Sequence, residues 1–448
     1  MNTVLMLAQW FPPCQAWPTA ATRVRLLASH LPEYGWRPIV LAPDMTGGAC
    51  SCAWCSDPGR ARPLDSAALT VHRLPVRRSL LRTAGSWVSR SPAHATSTPT
   101  AVPEKGVSTG LRHSLATMTW LLGDVHSNWT RVAASHAGHL LDRGTIDAIW
   151  TTSAPFGHIN LGHRLAHREG VPWVADIRDP VSKDVTAPPG WLDALVTARR
   201  RRYRRPLVEA TAITAATGQV AVLDGPWLGR DATLLVPGFD EAEWAVSRAA
   251  AERKPERFEI VFTGKLYENY RRPDTFLRGL RLAVDTLEPA ERGRIRFVYY
   301  GRSGGFLGRV AEEVGCADVV EDRGFVDPVA VPQLSAEATA LLLLTNEVGD
   351  SGVPGGKFFE YLAAHRPILA VPGSDRYVAS VLTRTGAGYR ADDERQVADI
   401  LIRWFSQWRR DGALPFAGDT AAIAEFSART SARRLAELLG TADAGAAA

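Results

Sequence analysis

Two of the five lysines in this 448-residue chain stand beside glycines in settings suited to a phosphate. Lys265 follows Gly264 directly after the apolar run Phe258–Thr263, which reads as a strand. Lys357 follows Gly355-Gly356 at the head of an apolar helical segment. A glycine at a strand end lets a ligand approach the backbone, and free N–H groups at a helix start, with a cation nearby, attract anions. Glu360 lies one turn further on. Its carboxylate could accept both hydroxyls of a ribose, or it could merely favour the positive end of the helix. Gly301, in Gly301-Arg302-Ser303-Gly304, and Phe325, in Gly324-Phe325-Val326, mark strand-end turns able to line a nucleotide; Arg271 and Arg272 offer further cations. In the first half, Asp176, Arg178 and Asp179 follow another apolar run, and His158 opens a helix. These four suit the handling of a second substrate, or else a local ion-paired turn and a capping histidine.

The elements that must position these residues alternate. Strand Thr3–Ala8, helix Ala20–Leu31 and strand Pro38–Ala42 form a β-loop-α-β unit, which requires a parallel sheet. Further strands are expected at 69–74, 148–151, 172–175, 212–215 and 233–236, with helices at 111–142, 157–168 and 190–209. The second half repeats the theme, with strands at 258–263, 296–300, 319–321, 338–344 and 367–371. Helices are expected there at 273–287, 306–315, 357–364, 375–384 and 395–409. The fold class is therefore α/β, with two doubly wound, Rossmann-like domains facing across a cleft, and ligands lie beyond the carboxyl ends of the strands. The expected domains are 1–238, with a mobile insertion at about 45–110, and 258–395, joined by a linker at 239–257. Helices in 396–448 are expected to pack back toward the first domain and end in a disordered tail.

Charge is distributed unevenly. Residues 1–210 hold 24 Lys and Arg against 14 Asp and Glu, whereas 211–448 hold 28 against 33. The excess includes six arginines within Arg199–Arg205. Such a helix would suit an anionic acceptor or peripheral contact with an anionic membrane, or it would be a solvated face. No RNA-binding aromatic signature or zinc-finger spacing accompanies it, so nucleic acid is not expected as a partner. The longest apolar runs fall far short of the ~20 residues a span requires. Val4–Ala8 is too short for a signal-peptide core. Five cysteines make no disulfide framework, so a cytoplasmic protein is expected, with the inner membrane surface as a peripheral location. Cys50, Cys52 and Cys55 would need a fourth ligand, such as Cys14 or His72, to make a structural zinc site, and no metal is expected.

Several of these segments resemble family 4 of the GT-B nucleotide-sugar glycosyltransferases. Gln9-Trp10-Phe11-Pro12-Pro13 with Arg23, then Leu31–Leu41, is similar to that family's first βαβ unit. Thr152–His158 and Gly170–Pro180 resemble its acceptor-domain core, and Val236–Asp240 its crossing segment. Gly355–Ile368 resembles its donor-nucleotide helix. The resemblance implies transfer of a sugar from a nucleotide-diphosphate donor, UDP-sugar by default, to a glycan, lipid-linked or small-molecule acceptor. It further implies that Glu360 binds the donor ribose and that Lys265 and Lys357 contact the diphosphate. Gly264, Arg271, Gly301, Phe325, Gly355 and Gly356 would line the donor, Phe11, Pro12 and Arg23 the acceptor, and Asp176, Arg178, Asp179 and His158 the catalytic centre. The family often carries an earlier glutamate eight positions before the one matching Glu360, where this chain has Gly352, and its Gly-rich first loop is replaced by Ala16–Ala20. Retention of anomeric configuration is expected from the family. No Asp-x-Asp pair occurs in the sequence, so no metal or other cofactor is expected. An epimerase of the same fold and a non-catalytic nucleotide-sugar-binding protein are the alternatives.

Overall fold

The computed structural model describes residues 1–13, 18–45, 69–76, 127–153, 156–182, 193–250, 256–266, 268, 272–345 and 355–440. The chain divides into two compact units, Met1–Pro237 with the stretch from Ala428, and Gly238–Ser427.

In the first unit seven strands form one parallel sheet: β1 (Asn2–Leu7), β2 (Trp36–Asp44), β3 (Thr70–Pro75), β4 (Ala148–Ser153), β5 (Trp173–Ile177), β6 (Ala212–Ala215) and β7 (Thr233–Leu234). Their order is β3-β2-β1-β4-β5-β6-β7. Helices cover both faces of such a sheet, so its central strands read as continuous apolar runs, and every residue of β4 and β5 is buried. The order reverses between β1 and β4, which register Val4 against Ala148 and Leu7 against Thr151. A crevice at the carboxyl ends opens at such a reversal.

The second unit repeats the plan with six parallel strands: β8 (Phe258–Thr263), β9 (Ile295–Tyr300), β10 (Val320–Asp322), β11 (Ala340–Leu344), β12 (Ile368–Val371) and β13 (Gly388–Arg390). Their order, β10-β9-β8-β11-β12-β13, reverses between β8 and β11. The helix Gly356–Ala363 follows β11 in the chain, which places it at that reversal.

Several elements differ from expectation. The presumed linker contains a helix, Glu241–Ala250, with Trp244 buried. Helix Glu394–Asp411 packs on Asp274–Asp285 within the second unit, through Val397, Leu401, Trp404 and Phe405 at helical spacing. Of the C-terminal region, helix Ala428–Gly440 belongs to the first unit, where Ala432, Leu435 and Leu439 share a core with Val4, Val24 and Leu27. Helix Gly218–Leu228 was hidden by an internal Pro226; Thr217 caps it by accepting from the Val220 N–H. Strand β13 has three residues, too few for a periodic signal. The expected insertion at about 45–110 contains strand β3, which joins the sheet beside β2. Its other parts, 46–68 and 77–110, lie outside the described residues, as do the C-terminal tail, Cys14, Cys50, Cys52, Cys55, Arg271 and the position of Gly352. Among the described residues no helix is long and apolar enough to cross a membrane.

Candidate functional site

Three strand ends of the second unit are laced together by their backbones. Beyond β8, the Gly264 N–H donates to the Tyr300 carbonyl at 2.7 Å, and the Tyr299 hydroxyl donates to the Gly264 carbonyl at 2.7 Å. Beyond β9, the Gly301 N–H donates to the Gly324 carbonyl at 2.8 Å. Glycine is required at two of these points. Gly264 holds φ +143°, and a Cβ on Gly301 would stand 1.9 Å from the Gly264 oxygen.

Lys357 reaches this floor from the helix. Its Nζ donates to Thr263 Oγ1 at 3.2 Å, and a Cβ on Gly264 would lie 2.6 Å from its Cε. One turn later Tyr361 is wholly buried, and its hydroxyl accepts from the Thr263 N–H at 2.9 Å. Burial pushes that phenol well above its ordinary range, so it remains neutral. Tyr361 thus ties the helix to the end of β8 and fixes the place where Lys357 emerges. The helix starts at Gly356 after Gly355, with no side-chain cap and no acidic residue in its first turn, so nothing in its own first turn offsets its positive end. Glu360 is half-buried, and its carboxylate makes no hydrogen bond or ion pair with another described residue. Lys265 is exposed beside Gly264. Across the neighbouring strand end the Arg302 guanidinium lies 4.5 Å from the ring centre of Phe325, a ring 58% exposed. The structure therefore brings Gly264, Gly301, Gly355, Gly356 and Lys357 to one sheet end, with Glu360 a turn down the helix and Phe325 at the margin.

The first unit treats its charged residues differently. Arg23 and Asp176 are each 1% exposed and form one bidentate pair, Nη1 to Oδ2 at 2.7 Å and Nη2 to Oδ1 at 2.8 Å. Thr152 and Thr214 each donate a hydroxyl to Asp176, both at 2.7 Å. Four donors occupy the four acceptor positions of that carboxylate. Arg23 further donates to the Leu235 carbonyl through Nε at 3.2 Å and Nη2 at 2.7 Å. The pair thus pins the Pro18–His30 helix to β5 and to the end of β7. This geometry gives both residues a positioning role.

His158 is fully buried, with Nδ1 2.9 Å from the Thr152 carbonyl and its ring 5.0 Å from that of Trp129. Phe11 is a core residue, and the Pro12 carbonyl accepts from Arg73. Arg178 and Asp179 pair with each other at 3.0 Å, and Asp179 is well exposed. A shallow concavity at this sheet end is lined by Trp10, Ala20, Arg23, Val24, Thr152 and Arg178. His72, a conceivable metal ligand from its sequence, stands 3.1 Å from His136 Nε2 through its Nδ1.

Known structures share this architecture along the whole chain. Anabaena HepE, solved in complex with UDP and glucose, matches with a TM-score of 0.57 at 12% identity, over 98% of this chain and 100% of that one. Sucrose-phosphate synthase from Thermosynechococcus elongatus matches at 0.60 and 14%, over 99% and 100%. The α,α-trehalose 6-phosphate synthase of Burkholderia multivorans matches at 0.59 and 13%, over the full length of both chains. The fold is that of the GT-B glycosyltransferases. No protein-family model matches the chain, and no curated protein matches it by sequence.

Within this GT-B fold, sequence reasoning missed the residues that hold the others in place: Thr263 and Tyr361 under Lys357, and Thr152 and Thr214 around Asp176. One signal was available. Arg23 precedes Val24 on the apolar face of its helix, and a guanidinium there demands a buried carboxylate.

Proposed function

We propose that the protein is a glycosyltransferase that takes a sugar from a nucleotide-diphosphate donor bound by the second unit. The observation that carries this reading is the pairing of Lys357, fixed against Thr263 and Gly264, with a Glu360 carboxylate that no described residue engages. Glu360 accepts the ribose hydroxyls, and Lys357, Lys265 and the uncapped helix start receive the diphosphate. Breaking the sugar–diphosphate bond produces a cationic sugar and an anionic leaving group, and charges already in place lower that barrier. These cations stand where a metal would otherwise neutralise the leaving group, so the reaction proceeds without one. Phe325 and Arg302 offer a flat face for the base. UDP in the HepE complexes supports a uridine donor.

The acceptor, a glycan, lipid-linked or small-molecule hydroxyl, belongs to the first unit, where Arg178 and Asp179 are the accessible charged pair. His158, Asp176 and Arg23 hold that sheet end in shape. The anomeric configuration is retained.

Calorimetric titration with UDP, GDP, dTDP and ADP tests the donor assignment. Wild-type protein binds UDP, and Glu360→Ala weakens that binding by about 1.5–3 kcal/mol, the range of a charged hydrogen bond. Equal affinity in a folded Glu360→Ala protein sinks the ribose assignment. Lys357→Met keeps the aliphatic stem and should reduce turnover more than stability. Conversion of UDP-sugar with no acceptor present would identify an epimerase instead.

A further inference from the structure

The arginine run of the first unit is divided by its own helix. In Asp193–Val208 the residues Arg199, Tyr203 and Leu207 recur every fourth position, and all three are buried. Arg199 turns inward, donating through Nε to the Val181 carbonyl at 3.0 Å, with its guanidinium 5.0 Å from the Phe156 ring centre. The opposite side carries Arg200, Arg201 and Arg204, all exposed. With Thr197 and Trp227 they line an open concavity of about 220 Å³. Trp227 organises it: the Arg200 guanidinium lies 5.7 Å from its ring centre, and Arg204 Nε donates to its carbonyl at 3.2 Å. No carboxylate lines the concavity, and none of the three arginines pairs with an acid among the described residues. Arg205 differs, being matched to Glu209 at 2.8 Å. Beside Trp227, on helix Gly218–Leu228, Val222 is 71% exposed and Pro226, one turn on, is exposed as well.

We propose that this face docks on an anionic phospholipid surface, with the Arg200–Arg201–Arg204 concavity receiving a lipid phosphate and Val222, Pro226 and Trp227 entering the headgroup layer. Peripheral attachment requires basic charge together with some apolar insertion. On the arginine helix itself Tyr203 and Leu207 are buried, so the apolar part comes from the neighbouring helix Gly218–Leu228. A membrane suits the site better than a small soluble phosphate. The cations are spread over an exposed face, no buried polar side chain lines the concavity, and apolar residues border it. The proposal stands independently of the donor assignment.

Flotation of the full-length protein with vesicles, of pure phosphatidylcholine or with phosphatidylglycerol added, tests it at ~50 and ~200 mM salt. Binding should require phosphatidylglycerol and weaken at the higher salt. Arg200→Gln/Arg201→Gln/Arg204→Gln should lower partitioning about a hundredfold, from roughly 1 kcal/mol per charge. Val222→Ser should remove most of the binding that survives at ~200 mM salt. Arg202→Gln/Arg205→Gln removes charge from the same helix outside the concavity and should cost at most about tenfold. A loss equal to that of the triple variant would overturn the site, leaving only general charge. No flotation with either vesicle would overturn the proposal outright. Release from vesicles by millimolar inorganic pyrophosphate, with a rise in Tm that the Arg200→Gln/Arg201→Gln/Arg204→Gln variant lacks, would assign the concavity to a soluble phosphoryl ligand instead.

Discussion

Asp176 and Glu360 carry the same charge near the carboxyl ends of two parallel sheets, yet their surroundings are opposite. Asp176 is 1% exposed and engaged by Arg23, Thr152 and Thr214. Glu360 is half-buried, and no described residue engages its carboxylate. A carboxylate whose acceptor positions are filled can only hold structure, whereas one left open at a helix start can take a ligand's hydroxyls. The same strand order thus builds a fastened centre in one unit and a receptive one in the other. Proximity in sequence to a plausible motif does not tell them apart; the count of donors does.

The largest expected effect attacks the fastened centre. Arg23→Met leaves a buried carboxylate without its cation and should destabilise the first unit by about 3–5 kcal/mol in urea unfolding. Arg23→Met/Asp176→Asn should recover part of that loss. A loss below about 1 kcal/mol in the single variant would remove the contrast between the two carboxylates. Next comes the receptive centre's scaffold. Tyr361→Phe takes away the acceptor of the buried Thr263 N–H and should cost about 1–3 kcal/mol of stability, with a parallel loss of UDP affinity as Lys357 shifts. Unchanged UDP binding at reduced stability would separate Tyr361 from the site. Glu360→Ala, the converse of Arg23→Met, should leave the free energy of unfolding in urea within about 0.5 kcal/mol of wild type while its UDP affinity falls.

The smallest effect concerns pH. Burial, and secondarily the positive charge of Arg248, lowers the His365 pKa to about 4. The unfolded chain binds this proton near pH 6.5, so the stabilising contribution of neutral His365 is complete above that value. It declines as pH falls from about 6.5 to 4. The ring is only partly buried, so solvent screening keeps the effect small. His365 holds φ 52°, a conformation asparagine tolerates, so His365→Asn should flatten the dependence of Tm on pH between 6.5 and 4. An identical slope in that variant would assign the acid sensitivity to other groups.

Much of the architecture was legible because strands buried on both faces leave unbroken apolar runs. β8 and β6 can be read to the residue as Phe258–Thr263 and Ala212–Ala215. The elements that escaped have no such imprint. Helix Gly218–Leu228 contains a proline, β13 is three residues long, and Glu241–Ala250 reads as a charged connector because one buried tryptophan anchors it. At the donor end, the Gly-Lys pairs were visible because glycine and lysine advertise themselves locally. Their supports were not visible, since Thr263 and Tyr361 are 98 positions apart. The Arg23–Asp176 pair, 153 positions apart, was readable only as two separate candidates. Chemistry carried by neighbouring residues survives in a sequence, whereas chemistry assembled by the fold does not.

The return of helix Ala428–Gly440 to the first unit has a consequence for how the protein is made. The Ser431 hydroxyl donates to the Val236 carbonyl across 195 positions of chain, and Leu435 packs in the core that holds Val4 and Leu27. During synthesis the first unit leaves the ribosome with a side of its core uncovered. The uninterrupted second unit, Gly238–Ser427, can finish before that side is closed. At roughly 5–20 residues per second, the wait lasts on the order of ten seconds or more. In that interval the apolar surface around Val24 and Leu27 is open to chaperones or to another nascent chain. Slow codons before residue 428 should lengthen that exposure and lower the soluble yield.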